Sequence, residues 1–257
     1  MTRRGTGRLC ASAPNHLPAV LAVFAHPDDE TFRCGGALAL LARRGAQVWV
    51  LCATRGEAGI ADVEPQQAGQ IRQAELQCAC RALSIQPPRF LNYQDGTLSQ
   101  VDDAGAVAQI AAVVRELHPH VLLTWPPDGL SGHPDHICVS RWTAQVFQQA
   151  AGWEADAPAA LYHLAVPQSV AQALGLAHLH ALPDDQITLA VDVTPVWEQK
   201  LAAIHCHRTQ ASSTPILRAP EERQRLFLGK EHFRRAQARM EPDLFLQTLS
   251  LLEGGSR

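Results

Sequence analysis

The sequence predicts an α/β fold: a Rossmann-like, mostly parallel sheet with helices on both faces and a helical C-terminal part. Three observations predict it. Short, nearly continuous apolar runs alternate with stretches of helical period, the pattern of buried parallel strands covered by helices. The chain has 257 residues and is 46% hydrophobic, enough to bury one large core. Polar clusters follow the apolar runs directly, where open α/β sheets bind their ligands.

The elements follow in order. LPAVLAVFA (residues 17–25) is an apolar run with β-branched residues and reads as the first strand. GGALALLARRG reads as a helix stopped by Gly45. AQVWVLCAT is a second buried strand, and GQIRQAELQCACRAL has apolar spacing near 3.6 and reads as a long helix. RFLNY is a short third strand. AVAQIAAVVRELH is a helix, HVLLTW a fourth strand and HICVSRWTAQVFQQAA a further helix. ALYHLAV and ITLAVDV add two strands. Beyond Val193 the chain reads as helical: PVWEQKLAAIHCHRTQ, then stretches around residues 223–239 and 243–252. Four polar clusters follow strands, at residues 26–30, 54–59, 93–98 and 125–136, and would lie on one edge of the sheet.

Composition narrows the function. With 22 Lys and Arg against 25 Asp and Glu, the net charge is −3, and no basic surplus supports nucleic-acid binding. No stretch approaches the roughly 18 apolar residues of a membrane span. The first 18 residues carry arginines, small residues and no acids, and lack the apolar centre of a secretory signal. They are expected to be a disordered leader, with residues 19–257 forming one domain. The seven cysteines are odd in number and scattered, which suits reduced, buried thiols of a cytoplasmic protein rather than a disulfide framework. Cys78 and Cys80 have C-x-C spacing, but with no second thiol pair nearby they are not read as a metal site.

Two clusters share one construction. The first contains His26-Pro27-Asp28-Asp29 and the last His133-Pro134-Asp135-His136. Proline is at home at the first position of a helix, so each histidine falls at or near an N-cap. Residues three apart share a side of the first turn, which pairs His26 with Asp29 and His133 with His136. The aspartates between them point elsewhere. Imidazole and carboxylate are good zinc ligands, and a catalytic zinc keeps three protein ligands and an open position. His26, Asp29 and one histidine of the second cluster supply that number. Crowded carboxylates repel one another unless something positive sits among them, and a dication answers that requirement.

AHPDDE together with GHPDH resembles the LmbE-like, or PIG-L-like, family of zinc-dependent N-deacetylases. The likeness extends along the chain. ATRGEAG resembles the family's T-x-G-E-x-G loop, Arg72 and Glu75 its R-x-x-E, and Asp95, Gly96 and Leu98 its D-G-x-L. Lys200, Ala203, His207 and Gln210 match its late K-x-x-A-x-x-x-H-x-x-Q element. The resemblance implies that His26, Asp29 and His136 hold the metal, zinc or another divalent ion. It implies Asp28 as general base and a protonated His133 facing the developing oxyanion, with Asp135 orienting His133. Arg72, Asp95 and His207 are expected at the substrate, Glu57 in support, and Trp125 either at the pocket mouth or in the core.

The expected substrate is a small N-acetylated sugar conjugate. GlcNAc-malate, an intermediate of bacillithiol-type thiol synthesis, is the first expectation, with Arg72 as the fork for its carboxylate. Diacetylchitobiose or a mycothiol-type thiol conjugate are the alternatives. The resemblance admits a homo-oligomer, since relatives often assemble, but the sequence does not fix the oligomeric state. A dinucleotide-binding enzyme would place G-x-G-x-x-G after the first strand; Gly35 and Gly36 come too late for that. A silent sugar-binding module would have lost its base or a ligand, and all five metal-motif residues are intact.

Overall fold

In a computed structural model of the chain, residues 19–153 and 157–239 are described. The elements are β1 (Val20–Phe24), α1 (Asp29–Arg43), β2 (Val48–Thr54), α2 (Pro65–Ala82), β3 (Arg89–Tyr93), α3 (Asp103–Leu117), β4 (Val121–Thr124) and α4 (Pro134–Gln149). They continue with β5 (Ala160–Ala165), α5 (Gln168–Leu174), β6 (Leu189–Asp192), α6 (Trp197–Cys206), α7 (Arg208–Ala211), α8 (Glu221–Leu228) and β7 (Lys230–Ala238). The seven-stranded sheet has the order β3-β2-β1-β4-β5-β7-β6. Neighbours among β1 to β5 pair in parallel, and β7 runs antiparallel between β5 and β6.

The sheet has a core on each face, and β1 shows why. Val20, Ala22 and Phe24 pack with Leu38, Leu41 and Leu76 of α1 and α2. Leu21 and Val23 pack with Ile110, Val114, Val139 and Trp142 of α3 and α4. Alternate side chains leave opposite faces of a strand, so a strand buried on both sides is apolar throughout. Proline opens α2 and α4 at Pro65 and Pro134, where its missing N–H is no loss.

The structure departs from expectation in three places. The stretch around residues 223–239 is not all helix: α8 ends at Leu228, and Lys230–Ala238 is a strand. Its composition, KEHFRRAQA, favours a helix, but pairing with β5 and β6 overrides that preference. A short helix, α5, was not expected. Cys78 and Cys206 form a disulfide, their Cα atoms 5.6 Å apart, where reduced thiols were expected. The two lie on α2 and α6, which pack side by side, so residues 128 apart in sequence become neighbours. Cys34, Cys52, Cys80 and Cys138 are free and buried; Cys10, the leader at residues 1–18 and the expected helix at 243–252 lie outside the described residues. Among the described residues no helix is long and apolar enough to cross a membrane.

Candidate active site

The four polar clusters meet at the carboxyl ends of β1 to β4, around a cavity of about 440 Å³. His26, Asp28, Asp29, Arg72, Asp95, His133 and His136 all line it. Asp135 and His207, the other residues singled out, sit behind its wall.

The first cluster is shaped by an uncommon backbone. Asp28 caps α1 at φ 109° and ψ −27°, a left-handed conformation that non-glycine residues rarely adopt. Neighbours hold it there. The Asp28 carbonyl accepts from the Thr31 N–H (3.0 Å) and hydroxyl (2.9 Å). The Asp28 N–H donates to Glu30 Oε2 (3.0 Å), and the Pro27 carbonyl accepts from Arg72 Nη2. Non-glycine residues persist in such conformations where the surroundings over-determine them, often at functional sites.

Asp29 is oriented by three donors on one oxygen. Its Oδ2 accepts from the Ala25 N–H (3.1 Å), the His26 N–H (3.0 Å) and Trp125 Nε1 (3.2 Å). Oδ1 is left facing His136 Nε2 at 3.4 Å. The His136 ring stacks on the Trp125 indole with centroids 4.1 Å apart, and its Nδ1 faces the Gly129 carbonyl at 3.2 Å. Gly129 has φ 68°, and a Cβ there would meet the His133 carbonyl and His136 Cβ at 3.0 Å, so the loop needs glycine. His26 Nε2 faces Asp95 Oδ1 (3.1 Å) and Asp135 Oδ2 (3.2 Å). A ring nitrogen engaged by an acceptor fixes which nitrogen is left for a metal. Here Nδ1 of His26, Oδ1 of Asp29 and Nε2 of His136 are left. One ligand atom from each of these residues lies within 4.8 Å of the others. Two imidazoles and a carboxylate, each oriented by further partners, suit a divalent ion such as zinc.

The electrostatics separate the two adjacent aspartates. Burial and then the charge of Asp29 push the Asp28 carboxyl up to about 7, against the pull of Arg72 and His207. For Asp29 burial acts upward too, but His136 and His26 outweigh it and hold the carboxyl well below the usual carboxylate range. Asp29 therefore stays ionised, as a ligand must, while Asp28 is poised to exchange a proton near neutrality. Burial alone would lower His26; hydrogen bonds with Asp135 and Asp95 carry it up to about 10.

Two expected roles change. Asp135 was expected to orient His133, but its carboxylate faces His26 and accepts the Gly96 N–H (2.8 Å) and Leu98 N–H (3.1 Å). Those bonds to the D-G-x-L loop draw it toward β3 and away from the His133 ring. His133 was expected to be protonated; its Nδ1 instead accepts the Asp135 N–H at 3.2 Å. Burial, and then the charges of His136 and His26, lower its pKa. With Nδ1 engaged as an acceptor, Nε2–H is the donor the ring has left.

Arg72 lines the cavity but is held from behind, and His207 lies differently from expectation. Arg72 is 4% exposed, with Nη1 on the Gly56 carbonyl (3.2 Å) and Nη2 on that of Pro27, and it stands 3.5 Å from Asp28 and 3.9 Å from Asp95. A Cβ on Gly56 or Gly59 would collide with its guanidinium, which explains the glycines of the T-x-G-E-x-G loop. Asp95, besides meeting His26, accepts the Ala58 N–H at 3.1 Å. His207 has no exposed surface and faces Glu30 Oε1 at 2.7 Å, so it does not reach the cavity. Burial would lower its pKa, but Glu30 raises it. Trp125 is buried behind the metal ligands.

Two residues at the site had no expected role. Gln210 lines the cavity and donates to the Gly59 carbonyl at 2.9 Å; its place in the late motif was the available signal. Glu30 closes the AHPDDE string, yet only the folded backbone shows what it meets.

Residues 21–147 match the family described as PIG-L, GlcNAc-PI de-N-acetylase. The 1D-myo-inositol 2-acetamido-2-deoxy-alpha-D-glucopyranoside deacetylase of Rhodococcus erythropolis is 34% identical over 241 residues, covering 76% of this chain and 82% of its own. Two solved structures share the fold at 20% identity. The N,N'-diacetylchitobiose deacetylase from Pyrococcus horikoshii has a TM-score of 0.67, covering 85% of this chain and 83% of its own. The 4-carboxy-2-hydroxymuconate hydratase from Pseudomonas putida has a TM-score of 0.63, covering 88% and 99%. The second is not a deacetylase, so the fold alone leaves the reaction open; the sequence match and the paired His-Pro-Asp residues do not, and the chain belongs to the PIG-L family as a metal-dependent N-deacetylase.

Proposed function

We propose that the protein uses zinc to remove the acetyl group from a small N-acetylglucosaminyl conjugate whose other part is a neutral polyol such as inositol. The observation that carries this reading is the charge of the cavity. Asp28, Asp29 and Asp95 line it, and its single guanidinium, Arg72, already serves the Pro27 and Gly56 carbonyls. A neutral polyol brings no charge for these carboxylates to repel. The carboxylates of malate would meet like charges, and the guanidinium that could receive them is 4% exposed and holds both carbonyls through its Nη atoms. The inositol conjugate named for the Rhodococcus relative is of the first kind.

His26, Asp29 and His136 would hold the ion. When bound, it acidifies water and polarises the amide carbonyl. Asp28, at the cavity wall, takes the proton of the attacking water and returns it to the leaving nitrogen. His133, whose ring centroid lies 4.6 Å from that of His136, offers its Nε2–H to the developing oxyanion. Water and the amide become acetate and the amine. Asp95 and Gln210, which line the cavity, would meet the sugar's hydroxyls.

Two measurements test this. Amine release from GlcNAc-inositol, GlcNAc-malate, free N-acetylglucosamine and diacetylchitobiose should show kcat/KM highest for the inositol conjugate, by about tenfold or more over malate if one unpaired carboxylate is the difference. A preference for malate or for diacetylchitobiose overturns the polyol assignment and leaves the deacetylase intact. His136→Ala should lose most of its zinc in elemental analysis while His133→Ala retains it; equal loss from both contradicts the ligand set.

A further inference from the structure

Glu30 is the one acid of the AHPDDE string that the hydrolytic reading leaves without a part. It lies in the first turn of α1 with no exposed surface. A buried carboxylate needs partners, and its two oxygens have different ones. Oε2 accepts the N–H of Asp28 at 3.0 Å. Oε1 meets Nε2 of the fully buried His207 at 2.7 Å. Nδ1 of His207 has no partner among the described residues, so the bond to Glu30 is the one that orients the ring.

Both residues stand where the backbone is irregular. Asp28 has φ 109°. His207 interrupts the run between α6 and α7 at φ −80° and ψ 61°. Just beyond it, Thr209 donates through its N–H (2.9 Å) and hydroxyl (2.7 Å) to Glu75 of α2, and Gln210 donates to Gly59 at the cavity. The α6–α7 junction is thereby tied to the T-x-G-E-x-G loop and, through Glu30, to Asp28.

We infer that Glu30, backed by His207, is a positioning device for the general base. Its Oε2 holds the Asp28 N–H in the left-handed conformation that turns the Asp28 carboxylate into the cavity. His207 fixes Glu30 from the far side, which is what the late K-x-x-A-x-x-x-H-x-x-Q element contributes here. This rests on the reading of Asp28 as base. Glu30 touches neither substrate nor metal, so its effect falls on kcat. Misplacing a reacting group by about 1 Å costs on the order of 10²-fold.

The test compares two conservative variants that separate reach from charge. Glu30→Gln keeps the reach: its amide oxygen accepts the Asp28 N–H, and its NH₂ meets a neutral His207. Glu30→Asp keeps the charge but withdraws it by one methylene. The geometry requires that Glu30→Gln retain most of kcat, while Glu30→Asp loses on the order of 10²-fold in kcat with KM within about twofold. Zinc per chain should stay at the wild-type level in both. Circular dichroism and thermal unfolding confirm that each variant is folded. His207→Gln, assayed alongside, should lower kcat in the same manner and add little to Glu30→Asp in the double variant. Glu30→Asp matching or exceeding Glu30→Gln in kcat, or a loss of zinc that parallels the loss of activity, overturns the inference. Asp28→Asn separates the two levels: if it keeps wild-type kcat, the base assignment itself fails. If it is inactive while Glu30→Asp is fully active, only the positioning role fails.

Discussion

Asp28→Asn is expected to bind zinc like the wild type and to lose about 10²–10⁴-fold in kcat, the usual contribution of a general acid–base group. The substitution keeps size and a carbonyl oxygen but removes the group that takes and returns the proton. Asp29, whose Oδ2 is held by three N–H donors, remains to hold the metal. Loss of zinc together with activity would show that the adjacent aspartates have exchanged roles. The pH profile provides a second check. Burial and the charge of Asp29 raise Asp28 to about 7; a bound dication favours the carboxylate and draws it down again. The base works deprotonated, so kcat/KM rises with pH along a limb centred on the acid side of 7. That limb should vanish from the residual activity of Asp28→Asn. A coupled site titrates as a unit, so the midpoint belongs to the cluster.

Lys200→Met should destabilise the fold by about 3–5 kcal/mol, because it strands a buried charge. Lys200 Nζ lies 2.8 Å from Glu231 Oε1 and donates to the Leu228 carbonyl at 2.6 Å, and both side chains are fully buried. Glu231, on the central antiparallel strand β7, also accepts the N–H groups of Gly36 (2.8 Å) and Ala37 (2.7 Å) within α1. Lys200 thus joins α6, β7 and α1, the helix whose first turn carries Asp29 and Glu30. Burial lowers the lysine's pKa and Glu231 opposes that shift. Methionine keeps the length without the charge. Urea titration gives the stability difference, and the melting temperature should fall by roughly 10 °C. A loss below about 1 kcal/mol would mean that the two helix amides satisfy Glu231 without the lysine.

Much of the scaffold could be read from residue order. The six expected strands lie where β1 to β6 form; for β1, β2, β4 and β5 the reason is that strands buried on both faces have to be apolar nearly along their whole length. The second antiparallel partner could not be read. β7 carries Lys230, Glu231, Arg234 and Arg235, a local pattern that favours a helix, and the buried Glu231 finds its partners in Lys200 of α6 and in the Gly36 and Ala37 N–H groups of α1. The Cys78–Cys206 bond was hidden for a related reason: nothing local to either cysteine reports that α2 and α6 pack together.

The same division runs through the site. By itself the sequence determined which side chains assemble, since two His-Pro-Asp turns that each follow a buried strand have to open at one edge of a parallel sheet. It also determined the chemistry of the donors, because imidazole and carboxylate at that spacing suit a divalent ion. Tertiary structure decided which atom each group offers and what it faces. Asp135 turned to His26 rather than His133, Arg72 filled the space beside Gly56 and Gly59, and His207 withdrew to Glu30. Those outcomes depend on hydrogen bonds between residues from 16 to 177 positions apart, and on a left-handed backbone at Asp28 that no residue type there requires. Residue identity sets what a side chain can bind; only the packed chain sets which partner arrives within 3 Å of it.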